Sequence, residues 1–451
     1  MDTIEEDYEG LKGVLPRSEY TELDNEVLGQ LLRTLNPEEL KQASGDIFGR
    51  IYEYFLTQFA DLKAHDGGEF FTPVSLVQMI ANVIEPDHGK VLDPACGSGG
   101  MFVQSAHFVE RLKRDPSRSL TFYGMEKNPT TIRLAKMNLA VHGLEGDIQK
   151  AISYYEDPHE LAGEADFVMA NPPFNVDEVD ADKIKNDPRL PFGLPGVNKA
   201  GKVSNGNYLW ISYFHSYLGT KGRAGFVMSS QASSAGRDEA KVRQKLAETG
   251  DVDVMISIRS NFFYTRTVPC ELWFLDRGKP KERRDKVLML DARGVNRKVT
   301  RKIYDFSPEQ LANLTSIVWL YRGDTKRFLE LVKRYLARTL EEAEAAHAPL
   351  RDYLKSVEAL AAQLRAYTAK ATDDAVKLAW KEFEDAGAVF AGDAVAWIAS
   401  RAPLAAAWKK AGEDNAALKK SAEKLMPLAE TSRDLVKQAD HVFKLAARVI
   451  D

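Results

Sequence analysis

Cysteine is almost absent from this 451-residue chain, with Cys96 and Cys270 its only two. Two cysteines cannot staple a fold, so a disulfide scaffold is excluded and a reducing, cytoplasmic location is expected. The eight histidines and two cysteines form no cluster with zinc-ligand spacing, and no metal is expected. No apolar run approaches the roughly 18 residues of a membrane span, and no membrane partner is expected. The acidic start, Met1 to Asp7, lacks the charged-then-apolar pattern of a secretory signal. An excess of positive charge is missing too: 61 basic residues face 66 acidic ones, a net charge of −5. That argues against a protein that grips nucleic acid alone through a broad basic field.

What is present is ordinary globular composition, long enough for two or three domains. Residues 1–66 read as an N-terminal helical domain. Ile47, Ile51, Tyr54, Phe55, Gln58, Phe59 and Leu62 recur at spacings of three and four, and Asn36-Pro37-Glu38-Glu39 has the composition of a helix start. From Val91 to Ala292 strand-like runs alternate with helical patterns: Val91–Asp93, Leu120–Met125, Asp166–Ala170, Ala224–Ser229, Val252–Ile258, Glu271–Leu275 and Lys286–Leu290. Such alternation predicts an α/β fold with a doubly wound, mostly parallel sheet. The short polar connections between the last three runs allow an antiparallel edge. Residues 175–205 are dense in Pro and Gly and read as one long loop, of the kind that serves as a lid or is disordered.

From about Gly323 the composition shifts to Ala, Lys, Glu and Leu. Leu350, Tyr353, Val357, Leu360, Leu364 and Tyr367 form one seam. Leu418, Leu425, Leu428, Leu435, Val442 and Val449 form another. Long helices follow, as an antiparallel pair, as a coiled coil seeking a partner, or as a bundle with its own core.

Two stretches carry chemistry. Asp93-Pro94-Ala95-Cys96-Gly97-Ser98-Gly99-Gly100 follows a strand-like run, and Asn171-Pro172-Pro173-Phe174 ends another. Both therefore sit where an α/β sheet presents its ligands. Glycines let backbone N–H groups approach a ligand, and Pro-Pro holds the flanking Asn and Phe stiffly. Further on, Glu126, followed by Lys127, is placed to accept hydrogen bonds from a ribose. A Gly-rich turn alone is weak, because dinucleotide folds use one also. Here, however, Asp93 stands in the turn and would repel a pyrophosphate. It suits a cationic ligand end, and S-adenosylmethionine offers a ribose, an ammonium and no phosphate. Glu69-Phe70-Phe71-Thr72-Pro73 reads either as core at a helix start or as a wall of the cofactor site.

An exocyclic base amine is a poor nucleophile, its lone pair being delocalised into the ring. The Asn171 side-chain oxygen and the Pro172 carbonyl are acceptors able to stabilise charge as it develops there. Phe174 can stack on a base withdrawn from its helix. The competing reading is a structural turn.

On these residues the chain resembles the amino-group DNA methyltransferases, and among them the modification subunit of Type I restriction–modification enzymes. Glu69–Pro73 is similar to the family's aromatic-Thr-Pro motif, Asp93–Gly100 to its glycine motif, Glu126 to its ribose acid and Asn171–Phe174 to its catalytic tetrad. The order is that of the gamma arrangement, and Asn261-Phe262-Phe263-Tyr264 with Glu271–Leu275 is similar to the closing segment. The resemblance implies a Rossmann-like methyltransferase sheet over residues 67–322, S-adenosylmethionine as cofactor, and transfer to the N6 amine of adenine. The cofactor set is then Glu69, Phe70, Phe71, Thr72, Pro73, Asp93, Ala95, Gly97, Ser98, Gly99, Gly100, Glu126 and Lys127. Asn171, Pro172, Pro173 and Phe174 are catalytic.

It also implies partners: double-stranded DNA with a flipped adenine, a specificity subunit, a second copy of this chain and a restriction (translocase-nuclease) subunit. Residues 323–451 would be the subunit-interaction region. A stand-alone adenine methyltransferase and a non-catalytic scaffold are the alternatives. The family often has an acid after the third strand for the cofactor's adenine. Here that neighbourhood is Lys150-Ala151-Ile152-Ser153-Tyr154, between Asp147 and Asp157, and the sequence leaves the role unassigned.

Overall fold

The structure, a computed structural model, describes residues 2–36, 49, 51–52, 54–56, 72–263, 268–301 and 303–450. Of the expected features, Ile47, Gln58, Phe59, Leu62, Glu69, Phe70, Phe71 and Tyr264, and the helix start at Pro37-Glu38-Glu39, lie outside the described residues. The chain divides into two compact units, residues 1–318 and 319–451.

The first unit is built on eight strands: β1 (Gly89–Asp93), β2 (Leu120–Glu126), β3 (Gly146–Lys150), β4 (Ala165–Ala170), β5 (Leu218–Ser229), β6 (Val252–Ile258), β7 (Cys270–Asp276) and β8 (Leu288–Asp291). Their order is β3-β2-β1-β4-β5-β7-β6-β8. Seven run one way. Only β7 is reversed, inserted between β5 and β6, while β8 is again parallel to β6. The antiparallel element is thus third from the edge, with β6 and β8 outside it.

Side chains alternate across β4. Met169 meets the helix Gly100–Arg111 on one face, where Ser105 Oγ donates to its sulfur at 3.0 Å. Val168 and Ala170 join the opposite core, with Leu92, Ala224, Phe226 and Met228. That core is covered by the aromatic helix Asn207–Tyr217, whose Tyr208, Trp210, Tyr213, Phe214 and Tyr217 are all buried. Helices on both faces are what a parallel sheet requires. At the N terminus, the hydroxyl of Tyr52 donates to the Leu134 carbonyl at 3.0 Å, on the helix Pro129–Val141.

Residues 175–205 are not a free lid. Val179, Ala181, Ile184, Leu190, Phe192 and Val203 belong to the same core. The buried guanidinium of Arg189 pairs with Asp187 at 2.7 Å, donates to Tyr217 Oη at 2.7 Å and to the Glu156 carbonyl at 3.0 Å. A buried charge persists only when its donors are satisfied, and these contacts satisfy it.

The second unit consists of the helices Thr325–Ala345, His347–Thr368, Asp374–Trp408 and Asn415–Ile450, with the end of Pro308–Tyr321. Leu418, Leu425, Leu428, Leu435, Val442 and Val449 are all buried in its core. Of the first seam Leu364 is buried; Leu350, Tyr353, Val357 and Leu360 pack partly buried against that core, and Tyr367 is 56% exposed. The seams therefore close inside the unit, as a bundle. What closes them is the helix Asp374–Trp408, whose Phe383, Phe390 and Trp397 form a third seven-residue stripe. Among the described residues no helix is long and apolar enough to cross a membrane, and no group of three or more His, Cys, Asp or Glu could hold a metal.

Candidate active site

β1 and β4 are neighbours, with Leu92 opposite Val168, so Asp93 and Asn171 leave the sheet side by side at its carboxyl edge. The turn after β1 is closed locally. Asp93 accepts the Ala95 N–H at 2.9 Å, Gly99 N–H donates to the Cys96 carbonyl at 2.8 Å, and Cys96 N–H donates to Met125 of β2 at 3.0 Å. Gly97 and Gly99 have φ of +52° and +80°, a region that disfavours any side chain. Gly124 is needed for another reason: a Cβ there would meet Cys96 Sγ at 2.9 Å and Ile148 Cδ1 at 2.6 Å. The Ser98 carbonyl accepts from Asn138 Nδ2 at 2.8 Å.

The resulting cradle is acidic. The Asp93 carboxyl is 1% exposed and pushed up to about 8, first by burial and further by Glu126, against the pull of the Ala95 N–H. Burial likewise holds the Cys96 thiol well above its ordinary range. Glu126 ends β2, and its carboxylate accepts the Asn128 N–H at 2.9 Å. A Cβ built on Gly97 or Gly100 would meet nothing within 4 Å, which leaves room beside the turn. Two carboxyls and an open glycine wall fit the ammonium and ribose of S-adenosylmethionine. Lys127 is exposed, Thr72 is partly buried, and Pro73 is buried at the start of the helix Val74–Ile84.

The segment after β3 folds back on this turn, with Ser153 Oγ–H donating to the Pro94 carbonyl. Asp147 is taken up by Gln149 at 2.9 Å and His159 at 3.3 Å. Asp157 accepts from Tyr217 at 3.2 Å beside Arg189.

Both polar atoms of the Asn171 side chain are shielded from water and hydrogen-bond to nothing among the described residues. Leaving such a group unsatisfied costs about 1–3 kcal/mol per atom, so a turn kept only for structure would not retain it. Pro172 is buried, Pro173 exposed and Phe174 partly buried. Phe263 stands edge-on to the Phe174 ring, with centroids 6.5 Å apart.

The residue after the tetrad, Asn175, has φ +58°. Its N–H donates to Asn207 Oδ1, and its own Oδ1 accepts from Asn207 Nδ2, both at 2.9 Å, and from Asn205 Nδ2 at 3.1 Å. Asn207 is 1% exposed. The sequence analysis missed this clamp; its only signal was three asparagines flanking a glycine-rich loop.

The N-6 DNA Methylase family matches residues 43–343, well over half of the chain. The chain belongs to this family. The chain is 38% identical over 310 residues to the type I restriction enzyme MjaIX methylase subunit of Methanocaldococcus jannaschii, covering 67% of this chain and 54% of that protein. It is 33% identical over 326 residues to the HindI methylase subunit of Haemophilus influenzae, covering 70% and 72%. The chain thus spans about half the length of the MjaIX subunit. A type I restriction-modification methyltransferase subunit from Streptococcus thermophilus shares the fold, with a TM-score of 0.55 at 22% identity, over 64% of this chain and 60% of that one.

Proposed function

We propose that this methylase transfers the methyl group of S-adenosylmethionine to the N6 amine of adenine in DNA, as the modification subunit of a Type I restriction–modification complex. The orphaned Asn171 amide beside the Asp93 turn carries the reading. Asn171 Oδ1 and the Pro172 carbonyl accept the two amine hydrogens, and so favour the positive charge that grows on nitrogen during transfer. Phe174, held by Phe263, stacks on the flipped base. Asp93 receives the cofactor's ammonium, Glu126 its ribose, and the backbone of Gly97–Gly100 the rest. Thr72-Pro73, with Glu69–Phe71, closes the cofactor side. The cofactor supplies an electrophilic methyl; the chain's own residues orient the amine and exclude water.

Residues 323–451 serve contact with the specificity subunit. Their core seams are closed, so the contact falls on the outer face, where Val436, Phe443 and Ile450 recur every seventh residue at 71%, 66% and 60% exposure. The resemblance to named methylase subunits supports the specificity, second-copy and restriction subunits as partners.

The test is the product. Co-expressed with its specificity subunit in a host without adenine methylases, the chain should leave N6-methyladenine in DNA, read by mass spectrometry. N4-methylcytosine or unmodified DNA would contradict the assignment. Methylation by the chain alone would make it a stand-alone enzyme.

A further inference from the structure

β6 and β8 end at Ile258 and Asp291, on the edge that carries Asp93 and Asn171. Beyond β8 the chain forms a hairpin, β9 (Arg297–Lys298) with β10 (Tyr304–Asp305). Tyr304 N–H donates to the Asn261 carbonyl at 3.0 Å, and Phe306 packs on Phe262 at 4.8 Å. Phe263, the next residue, is the one that faces Phe174. The hairpin is therefore joined to the catalytic aromatic through a three-residue segment.

Its charges divide into two groups. Arg293 and Arg297 are neutralised by Asp291 at 2.7 Å and Asp305 at 2.6 Å. Lys298 and Arg301 are exposed and have no carboxylate partner among the described residues. Lys298 pairs with Tyr304 in the ladder, so the two side chains share a face. The Arg259 guanidinium lies 3.8 Å from the Tyr304 ring centroid. Among the described residues it bonds only to Asn296 Oδ1, at 3.3 Å, its Nε is shielded without an acceptor, and it too lacks a carboxylate. An aromatic ring flanked by uncompensated cations is a pattern that receives the phosphate backbone and bases of nucleic acid. Holding the hairpin in place accounts for Arg259 on Tyr304, but not for Lys298 or Arg301.

We propose that this hairpin grips the phosphates of the DNA strand that flank the reacting base, through Lys298 and Arg301 with Arg259 nearest the site. The inference rests on DNA being the substrate. It reconciles a net charge of −5 with DNA contact, because the needed cations stand on the hairpin joined to Phe263 and Phe174.

The test compares the full-length wild type with Lys298→Ala/Arg301→Ala, each assembled with the specificity subunit, binding a 30-base-pair duplex across a salt series by fluorescence anisotropy. A control, Arg118→Ala/Lys281→Ala, removes the same charge from the opposite edge of the sheet. The slope of log affinity against log salt should fall by about two units for each copy of the hairpin variant in the complex, since each lost phosphate contact contributes roughly 0.9. It should stay at the wild-type value in the control. A hairpin variant with the wild-type slope, or a control that loses as much, would overturn the proposal while leaving DNA as substrate. A wild type that binds no duplex at low salt would overturn the DNA reading beneath it.

Discussion

Asn207 and Asn175 exchange two hydrogen bonds, each 2.9 Å long, and thereby fix the backbone at the exit of the Asn171–Phe174 tetrad. Asn175 adopts φ +58°, which Asn tolerates better than most residues. Asn207 heads the helix Asn207–Tyr217, packed in the core, so the tetrad is tied to the aromatic core on that face of the sheet.

Asn207→Ala should therefore lower kcat through position alone. Misplacement of a reacting group by about 1 Å costs on the order of 100-fold in rate. The cofactor KM should not change, because the clamp does not touch the glycine turn. A rise in cofactor KM with kcat intact would remove the positioning role.

Asp93 gives a pH signature. Its ordinary value is 3.8 and its folded value about 8, so the folded state binds the proton more tightly. Stability of the ligand-free protein falls as pH rises from about 4 to about 8, and levels off above. Asp93→Asn removes that penalty: it should melt above the wild type at pH 9, match it near pH 4, and bind S-adenosylmethionine more weakly at neutral pH. Thermal melts across this range, with and without cofactor, measure both. Parallel melting curves for the two proteins would refute the buried-acid account.

Gly100 separates fold from cradle. It has no positive φ, heads the helix Gly100–Arg111, and a Cβ there meets nothing within 4 Å. Gly100→Ala should keep or slightly raise the melting temperature while weakening cofactor binding by calorimetry. Wild-type affinity would place the cofactor elsewhere.

In the second unit, Phe390 is fully buried and lies edge-on to Tyr353, 5.6 Å away. Phe390→Ala should cost about 3–5 kcal/mol of that unit's stability by denaturant melting. Cofactor binding should persist, since the cradle is built from residues 93–126. Loss of both together would mean that the two units do not fold separately.

The candidate site was legible where chemistry constrains residue type: the Asp93 turn, Glu126 and the rigid Asn-Pro-Pro-Phe after a strand. β3 was not among the strand-like runs, because Gly146–Lys150 is an edge strand with only Ile148 buried. The loop 175–205 looked free because its anchor, Arg189, is a charged residue that sequence alone assigns to the surface. Phe383, Phe390 and Trp397 are diluted by alanines, so the helix that closes both seams was not read. The Asn175–Asn207 clamp joins residues 32 apart in the chain, and its one trace in the sequence, three asparagines flanking a glycine-rich loop, does not say which of them pair.

The central claim is that Asn171 serves the reacting amine and nothing else. It is tested most directly by labelled methyl transfer from S-adenosylmethionine to DNA in the assembled enzyme, comparing the wild type with Asn171→Ala and Phe174→Ala, and with cofactor affinity measured by calorimetry on the same samples. Transfer should fall by about 100- to 1,000-fold in Asn171→Ala, the loss of roughly 2.7–4 kcal/mol of transition-state stabilisation, and also collapse in Phe174→Ala. Cofactor affinity should stay at the wild-type value in both. Near-normal transfer by Asn171→Ala, or a loss of transfer that follows a loss of cofactor binding, would contradict the account.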